Sequence, residues 1–544
     1  MYGFSISKRG ILTDNYFKQL GYYELPEPQG VFIMIRKLGF EIKINQDFHG
    51  NYGLYIYKNK NKNFFAFSNS FLLLVEYLLD KQKISLNKDF TDNFVISDLC
   101  TPSVYETMIK EITKIPPNGA IMINIKHKTY KIYYINYQEN TILLESKKGL
   151  KTIDRWVDKW GYILRSLIRK SNNISSDLSG GFDTRMVLAI LLSSGININD
   201  ILINTSNDKN HCHEEDMKIA KNIATKFGFK LNNKKLDNNG IEWNIKDILS
   251  CTLYSKLGFH KEFYFKKEFF YNPRFALTGG SGEEIRGYPG ITINEYIDKI
   301  SSRGRYFGKQ FHIASTRLLN RSRTFLKSQK VYDNEYQIAS DLYSKGRAIN
   351  HCGKASLEGF LSNRYFIQPS NDLEIKKIKF IVNGNSTQDL IAYIYVRFAH
   401  DLINFPIQGN RTINLESIKK AEKLNKLIRP YQVKYNYNKN FFIDNIRTSP
   451  VSSSKSSKDI DLYLNNFFES SKFFWFINKF YNANIYKFAS FYKKKSNYYP
   501  LKYFYGLLSI YKTLEYLHLN KKYMKKKLKS DNIKEKKIFS YLIR

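Results

Sequence analysis

The sequence predicts three parts in series: an α+β N-terminal part built on antiparallel strands, an α/β centre built on a parallel sheet, and a helical C-terminal extension. Three observations carry this. Residues 1 to about 135 alternate apolar and polar residues in short runs separated by turn signals, the pattern of antiparallel strands and hairpins. Residues 173 to about 290 repeat a strand, a loop and a helix, which implies parallel strands joined by right-handed crossovers. After Thr448-Ser449-Pro450-Val451-Ser452-Ser453-Ser454, a loop or linker, the chain is rich in Phe, Tyr and Lys and keeps helical spacing.

In the first part, Gly30 to Arg36, Gly53 to Tyr57 and Asn63 to Phe67 read as strands, and Phe71 to Asp80 as a helix. Glu111 to Ile115 leads into Pro116-Pro117-Asn118-Gly119, a turn signal, and Ala120 to Ile125 with Tyr130 to Ile135 forms a hairpin. Asn136 to Lys151 is polar and irregular and reads as a linker. The expected boundaries are 1–135, a linker at 136–152, a central domain at 153–447 and a basic helical region at 458–544.

The centre opens with a helix, Ile153 to Arg169, whose Trp156, Trp160, Ile163, Leu164 and Leu167 share one face. Asn173 to Leu178 is a short strand and Thr184 to Ser194 a helix, with Leu178-Ser179-Gly180-Gly181-Phe182-Asp183-Thr184 between them. Glycine permits a sharp bend and a close approach of backbone N–H groups to a ligand. Asp183 or Thr184 can cap the helix, whose N-terminus favours an anion. Lysine does not follow the glycines, so this is not the common P-loop, Gly-x-x-x-x-Gly-Lys-Ser/Thr. A second unit follows: Ile201 to Thr205 as strand, and His213 to Phe227 as helix. That helix opens with Glu214, Glu215 and Asp216, which suit its positive end, and stops at Gly228. The third unit is Phe275-Ala276-Leu277 running into Thr278-Gly279-Gly280-Ser281-Gly282-Glu283-Glu284-Ile285-Arg286-Gly287-Tyr288. Ligands of such sheets bind at the carboxyl ends of the strands, where Ile203 and Asn204 also lie.

Composition bounds the function. The 544 residues suffice for two or three domains, and 43% hydrophobic with 16% aromatic content builds sizeable cores. No stretch reaches the roughly 18 apolar residues of a membrane span, and Met1 to Leu12 has no signal-peptide core. Cys100, Cys212, Cys251 and Cys352 are scattered, which fits a reduced, cytoplasmic protein. His211-Cys212-His213 has no second ligand pair spaced to join it, so no zinc site is expected. The net charge of +37 favours an anionic partner, although the saturation with Lys, Asn, Ile, Tyr and Phe is also the coding bias of AT-rich genomes.

The first loop resembles the pyrophosphate loop, Ser-Gly-Gly-x-Asp-Ser/Thr, of the ATP pyrophosphatase (PP-loop) superfamily, with its adenine nucleotide α-hydrolase-like fold. The third unit resembles Ser-Gly-Glu-Gly-Ala-Asp-Glu-x-x-Gly-Gly-Tyr of asparagine synthetase-like ligases, a family that includes β-lactam synthetases. Thr278-Gly279 match its start and Glu283-Glu284 its Asp-Glu, while Gly280 replaces a Glu and Glu283 an Asp. Met1-Tyr2-Gly3-Phe4 resembles the Met-Cys-Gly-Ile start of N-terminal-cysteine glutamine amidotransferases, which implies an Ntn-hydrolase-like antiparallel sandwich. Ser356-Leu357-Glu358 to Arg364-Tyr365-Phe366 is a fainter match to the family's Glu-x-Arg-x-Pro-Phe stretch.

The resemblance implies an AMP-forming carbon–nitrogen ligase. ATP and pyrophosphate would meet Leu178, Ser179, Gly180, Gly181, Asp183, Thr184, Ile203, Asn204, Gly279 and Gly280. Asp183, Glu283 and Glu284 would act in catalysis, with Mg²⁺ held by Asp183 and Glu283. The family's catalytic lysine is not placed, and Lys376 and Lys377 are candidates by rough position. Tyr2 stands in place of the nucleophilic cysteine and Ser68-Asn69 in place of an Arg-Asp pair that holds glutamine, so glutaminase activity is not expected. Ammonia or an amine is then the nitrogen donor. The carboxylate is aspartate, the family default, as in asparagine biosynthesis, or a sugar uronate of a bacterial surface polysaccharide. A tRNA-modifying PP-loop enzyme, which the charge suits, and a catalytically silent scaffold are the other readings. The paired cysteines of thiolating enzymes are absent, so nucleic acid is the lesser expectation. In the tail, Ile510, Leu514, Leu517, Met524 and Leu528 follow helical spacing, and Lys521 to Arg544 carries ten Lys/Arg against two acids. It packs on the body or lies on an anionic membrane surface.

Overall fold

The computed structural model of the chain describes residues 1–20, 26–27, 29–59, 64–96, 103–117, 119–134, 142–205, 211–232, 253–254, 257, 273–329, 332, 334–361, 363–379, 388–444, 509–518 and 521–522. The N-terminal strands are β1 (Tyr2–Ser7), β2 (Gly10–Leu12), β3 (Gly30–Leu38), β4 (Glu41–Gln46), β5 (Tyr55–Lys58), β6 (Phe65–Ser68), β7 (Ile112–Lys114), β8 (Gly119–Asn124) and β9 (Thr129–Tyr134). Further on come β10 (Ile142–Leu143), β11 (Ile174–Asp177), β12 (Leu202–Asn204), β13 (Arg274–Leu277), β14 (Arg364–Ile367), β15 (Ile378–Lys379) and β16 (Phe442–Ile443).

The N-terminal strands pair antiparallel in two sheets, the larger of which also takes in β16. One has the order β16-β2-β1-β3-β4-β8-β9, the other β6-β5-β7. Alternation along β5 explains the layering: Ile56 enters the core under the larger sheet, while Tyr55 and Tyr57 enter a second core with Phe71, Leu74 and Phe90 from helices Phe71–Leu78 and Lys88–Ile96. The predicted strands and hairpin around residues 30, 55, 65 and 120–134 are all present, and Gly119 N–H closes the proline turn on Pro116 O at 2.8 Å.

The central sheet has the order β12-β11-β13-β14 and is parallel throughout. Its strands are flanked by helices Phe182–Ser193 and His211–Phe227, as the alternating pattern requires. The preceding helix runs Lys147–Ile168 and so starts six residues before the predicted Ile153; Ser146 Oγ caps it, accepting from Gly149 N at 2.9 Å. This helix positions a distant turn. Its buried indoles donate outward, Trp156 Nε1 to Pro369 O at 2.9 Å and Trp160 Nε1 to Asp372 Oδ2 at 3.0 Å.

One hydrophobic core runs through both sheets. Phe4 of β1 packs edge-on against Tyr365 of β14, with centroids 4.8 Å apart. The chain also returns: β16, near the end of the expected central domain, pairs in parallel with β2 of the N-terminal sheet. Helix residues 509–518 pack on the second core through Ile510 and Leu517. Met524, Leu528, most of the basic tail and the 448–454 linker lie outside the described residues. No helix among the described residues is long and apolar enough to cross a membrane.

Candidate active site

The order β12-β11-β13-β14 contains a switch point. From β11 the chain crosses to β12 on one side, and from β13 to β14 on the other. Doubly wound sheets bind ligands in the crevice outside the carboxyl ends of the strands at such a point. The two glycine loops, 178–182 and 278–282, follow the carboxyl ends of β11 and β13 there.

The first loop is tied internally. Ser179 N and Oγ both reach Thr184 Oγ1, at 3.1 and 3.0 Å, and Gly181 N donates to Ser179 Oγ at 3.1 Å. Gly180 N donates to Asp216 Oδ1 at 2.6 Å. The expected cap is corrected: the helix starts at Phe182 with Gly181 as N-cap and no side-chain cap bond. Asp183 therefore falls in the first turn, too far along to cap, and Thr184 turns back to the loop. The uncapped N-terminus leaves its first donors for a ligand.

Two side chains for which the sequence gives no role at this loop, Arg185 and Asp216, hold it. Arg185, fully buried, donates to Gly180 O at 3.0 Å and Phe405 O at 3.1 Å, and also contacts Pro406 O. Glu214-Glu215-Asp216 was read only as charge for its own helix end. Instead Asp216 binds Gly180 N, and Glu215 accepts from Gly409 N at 2.8 Å and Asn410 N at 3.2 Å.

The second loop meets the first through Asp183. Arg286 Nε donates to Asp183 Oδ1 at 2.9 Å and Nη2 to Oδ2 at 3.1 Å, and the guanidinium lies over the Phe182 ring at 5.3 Å. A Cβ on Gly279 or Gly282 would come within 2.6 Å or less of Asp183 or Thr184 atoms, so this approach needs both glycines. Ser281, at φ +64°, holds the left-handed conformation that side chains seldom adopt.

The two neighbouring carboxylates face different partners. Glu283 contacts the Tyr343 hydroxyl and has Arg347 Nη1 at 3.9 Å. Burial pushes its pKa up, Arg347 pulls the other way, and the Asp183 charge adds to the push. Glu284 accepts from Lys376 Nζ at 2.6 Å. Burial would raise this carboxyl, but the Lys376 ammonium beside it holds it below its usual range. Of the two candidate lysines only Lys376 reaches the loop; Lys377 pairs with Glu374 at 3.5 Å.

The remaining predicted residues line the crevice's edges. Leu178 N donates to Asn204 O at 2.7 Å, and Asn204 Oδ1 accepts from Asn232 Nδ2 at 2.7 Å. Ile203 is buried, its carbonyl accepting from Asn232 N at 2.7 Å. Gly280 N donates to Thr278 Oγ1 at 3.2 Å, and its carbonyl accepts from Ser370.

The donor chemistry suits Mg²⁺. Arg286 takes one lone pair from each Asp183 oxygen, and a carboxylate has about four such sites, so a face remains. Glu283 is a second carboxylate, and crowding of like charge is what a divalent ion relieves. Among the described residues no group of three or more His, Cys, Asp or Glu converges, so phosphate and water would complete the sphere, as is usual for Mg²⁺. No protein-family model and no curated protein matches the chain.

Proposed function

We propose that the chain is an ATP-dependent, AMP-forming ligase that joins a carboxylate to ammonia or an amine, with an asparagine synthetase-like PP-loop centre and an Ntn-hydrolase-like N-terminal sandwich. One observation carries the reading: two glycine loops at the switch point of a parallel sheet, clamped together by the Asp183–Arg286 pair at 2.9 and 3.1 Å.

In this mechanism the substrate carboxylate oxygen attacks the α-phosphorus. The bond to the β-phosphate oxygen breaks and pyrophosphate leaves. The amine nitrogen then attacks the activated carbonyl carbon, the bond to AMP breaks, and a proton passes from nitrogen to a base. The free N–H groups at the start of helix Phe182–Ser193 and the guanidinium of Arg286 face the charge that gathers on pyrophosphate. Mg²⁺, held by Asp183 and Glu283, would neutralise the same charge. Lys376, fixed on Glu284, supplies a further cation. Arg185 keeps the loop shaped so that substrate stays in line.

Tyr2 is exposed and stands where the resemblance would put the nucleophilic cysteine. Ser68 Oγ accepts from Ser70 N at 3.0 Å, a turn contact rather than a glutamine clamp. Nitrogen is therefore free ammonia or a substrate amine. Aspartate and sugar uronates are the carboxylates to try first. The test is nucleotide analysis after incubation with ATP, Mg²⁺, ammonium and these acids: AMP and pyrophosphate should appear together, whereas ADP and phosphate would refute the reading.

A further inference from the structure

The N-terminal part meets the Asn371–Lys376 segment through one loop, residues 47–53. Asp47 is fully buried, and its carboxylate accepts from the backbone N–H groups of Phe32, His49 and Asn51 at 3.3, 3.1 and 3.1 Å. Gly50 N closes the turn on Asp47 O at 3.0 Å. The loop packs closely on residues 353 and 354: a Cβ on Gly353 would lie 2.5 Å from Asn51 Oδ1, and one on Gly53 3.0 Å from Lys354 Nζ.

At its tip stand Phe48 and His49, packed edge to face with centroids 4.8 Å apart. His49 Nε2 lies 3.1 Å from Asn371 O, and Nδ1 lies 3.3 Å from Lys376 Nζ. Only one tautomer serves both partners. Nε2–H donates to the carbonyl, and the bare Nδ1 accepts from the ammonium. Burial, with Lys376 beside it, pushes His49 down to about 3, so the ring stays neutral and the acceptor stays available. The Phe48 ring lies 5.6 Å from the same Nζ.

Lys376 thus has two of its three protons committed, one to Glu284 Oε2 at 2.6 Å and one to His49 Nδ1 at 3.3 Å. The third has no acceptor among the described residues. Two fixed bonds restrict the direction of the third, which a flexible lysine does not do alone. The turn that carries Lys376 is itself set by Trp156, Trp160 and the Asn371 carbonyl.

We propose that His49 is a positioning residue: the N-terminal part completes the ligase site by aiming the free proton of Lys376 at the reacting oxygen atoms. This rests on the ligase reading above. It gives the glutaminase-less sandwich a working role in the reaction of the central part.

The experiment compares His49→Leu, which keeps bulk and loses the acceptor, with His49→Gln, which keeps a neutral acceptor. AMP formation is measured together with thermal stability. His49→Leu should lower kcat by about tenfold or more with little change in KM for ATP, since misplacement of a fixed group is felt in the reacting geometry. His49→Gln should recover most of kcat while losing as much thermal stability as His49→Leu. Equal kcat in the two variants, or kcat that follows melting temperature, would overturn the proposal. ¹⁵N-histidine NMR on the full chain tests the contact without any assay. His49 should stay neutral with Nε2–H at pH 5, and Lys376→Met should shift its Nδ1 signal. Titration near pH 6.5, or an unmoved Nδ1 signal, would reject the contact. Absence of AMP formation by the unmodified protein would remove the ligase reading instead, with the NMR result standing separately.

Discussion

Asp183 and Arg286 join two loops that leave adjacent parallel strands, Arg286 Nε and Nη2 meeting Asp183 Oδ1 and Oδ2 at 2.9 and 3.1 Å. The pair is mostly shielded, with side chains 20% and 14% exposed respectively. A two-pronged ion pair of this kind fixes direction as well as distance.

Arg286→Gln should therefore lower AMP formation by about 10²-fold while leaving the chain folded, because charge is withdrawn where pyrophosphate leaves. Combined with Asp183→Asn, the losses of stability should be far from additive, since both variants break the same contact. A double-mutant cycle of unfolding free energies measures this. Additive losses would separate the two residues.

Arg185→Met removes the donor that three carbonyl groups share: Gly180 O, Phe405 O and Pro406 O. Gly180 O keeps Gln408 N at 3.2 Å, while Phe405 O and Pro406 O are left without a donor; at about 1–3 kcal/mol for each such acceptor, the urea midpoint should correspond to a loss of about 2 kcal/mol or more. An unchanged midpoint would show that the loop does not depend on the clamp.

Lys114 yields a pH dependence. The side chain is buried beside Lys354, with Asn350 Oδ1 at 3.5 Å. Burial first, and the Lys354 charge second, push it down from 10.5 to about 7. Between those values the folded protein binds fewer protons than the unfolded chain, so stability rises with pH across that window and the penalty is full below it. Relative to Lys114→Met, the unmodified protein should gain about 2 kcal/mol between pH 7 and 9, read from denaturant curves at each pH. A parallel response of the two proteins would place the amine in water.

Much of the frame was legible in the sequence because it depends on neighbours in the chain. The turn at Pro116 to Gly119, the strand before Ser179 and the helix ending at Gly228 are local events, governed by period and turn chemistry. The extra start of helix Lys147–Ile168 was missed because Lys147, Lys148 and Lys151 mask the apolar face that Leu150 begins. The parallel pairing of β16 with β2 was out of reach, since strands far apart in sequence carry no mark of their partner. The site followed the same rule. Both glycine loops and their carboxylates could be named, but what each carboxylate touches could not. Tyr343 lies 60 residues from Glu283, and Lys376 lies 92 from Glu284 and 327 from His49. Arg286 was in view three residues beyond Glu283, yet nothing in the spacing aimed it at Asp183.

The N-terminal part should release no glutamate from glutamine, with or without ATP, since a phenol at Tyr2 is a poor nucleophile and Ser68 is engaged in a turn contact with Ser70 N. Ligase activity should run on ammonium or an amine and be indifferent to glutamine. Glutamate above a no-enzyme control would mean that another residue supplies a nucleophile.

The central claim is tested most directly by resolving AMP from ADP in reactions of the unmodified chain and of Asp183→Asn, with ATP, Mg²⁺, ammonium and a panel of aspartate and uronates. The account predicts AMP and pyrophosphate in equal amounts from the unmodified chain, dependent on one of the acids. It predicts none from Asp183→Asn at a melting temperature within a few degrees of the parent. AMP formed equally by both proteins, or nucleotide cleaved only to ADP, would contradict it.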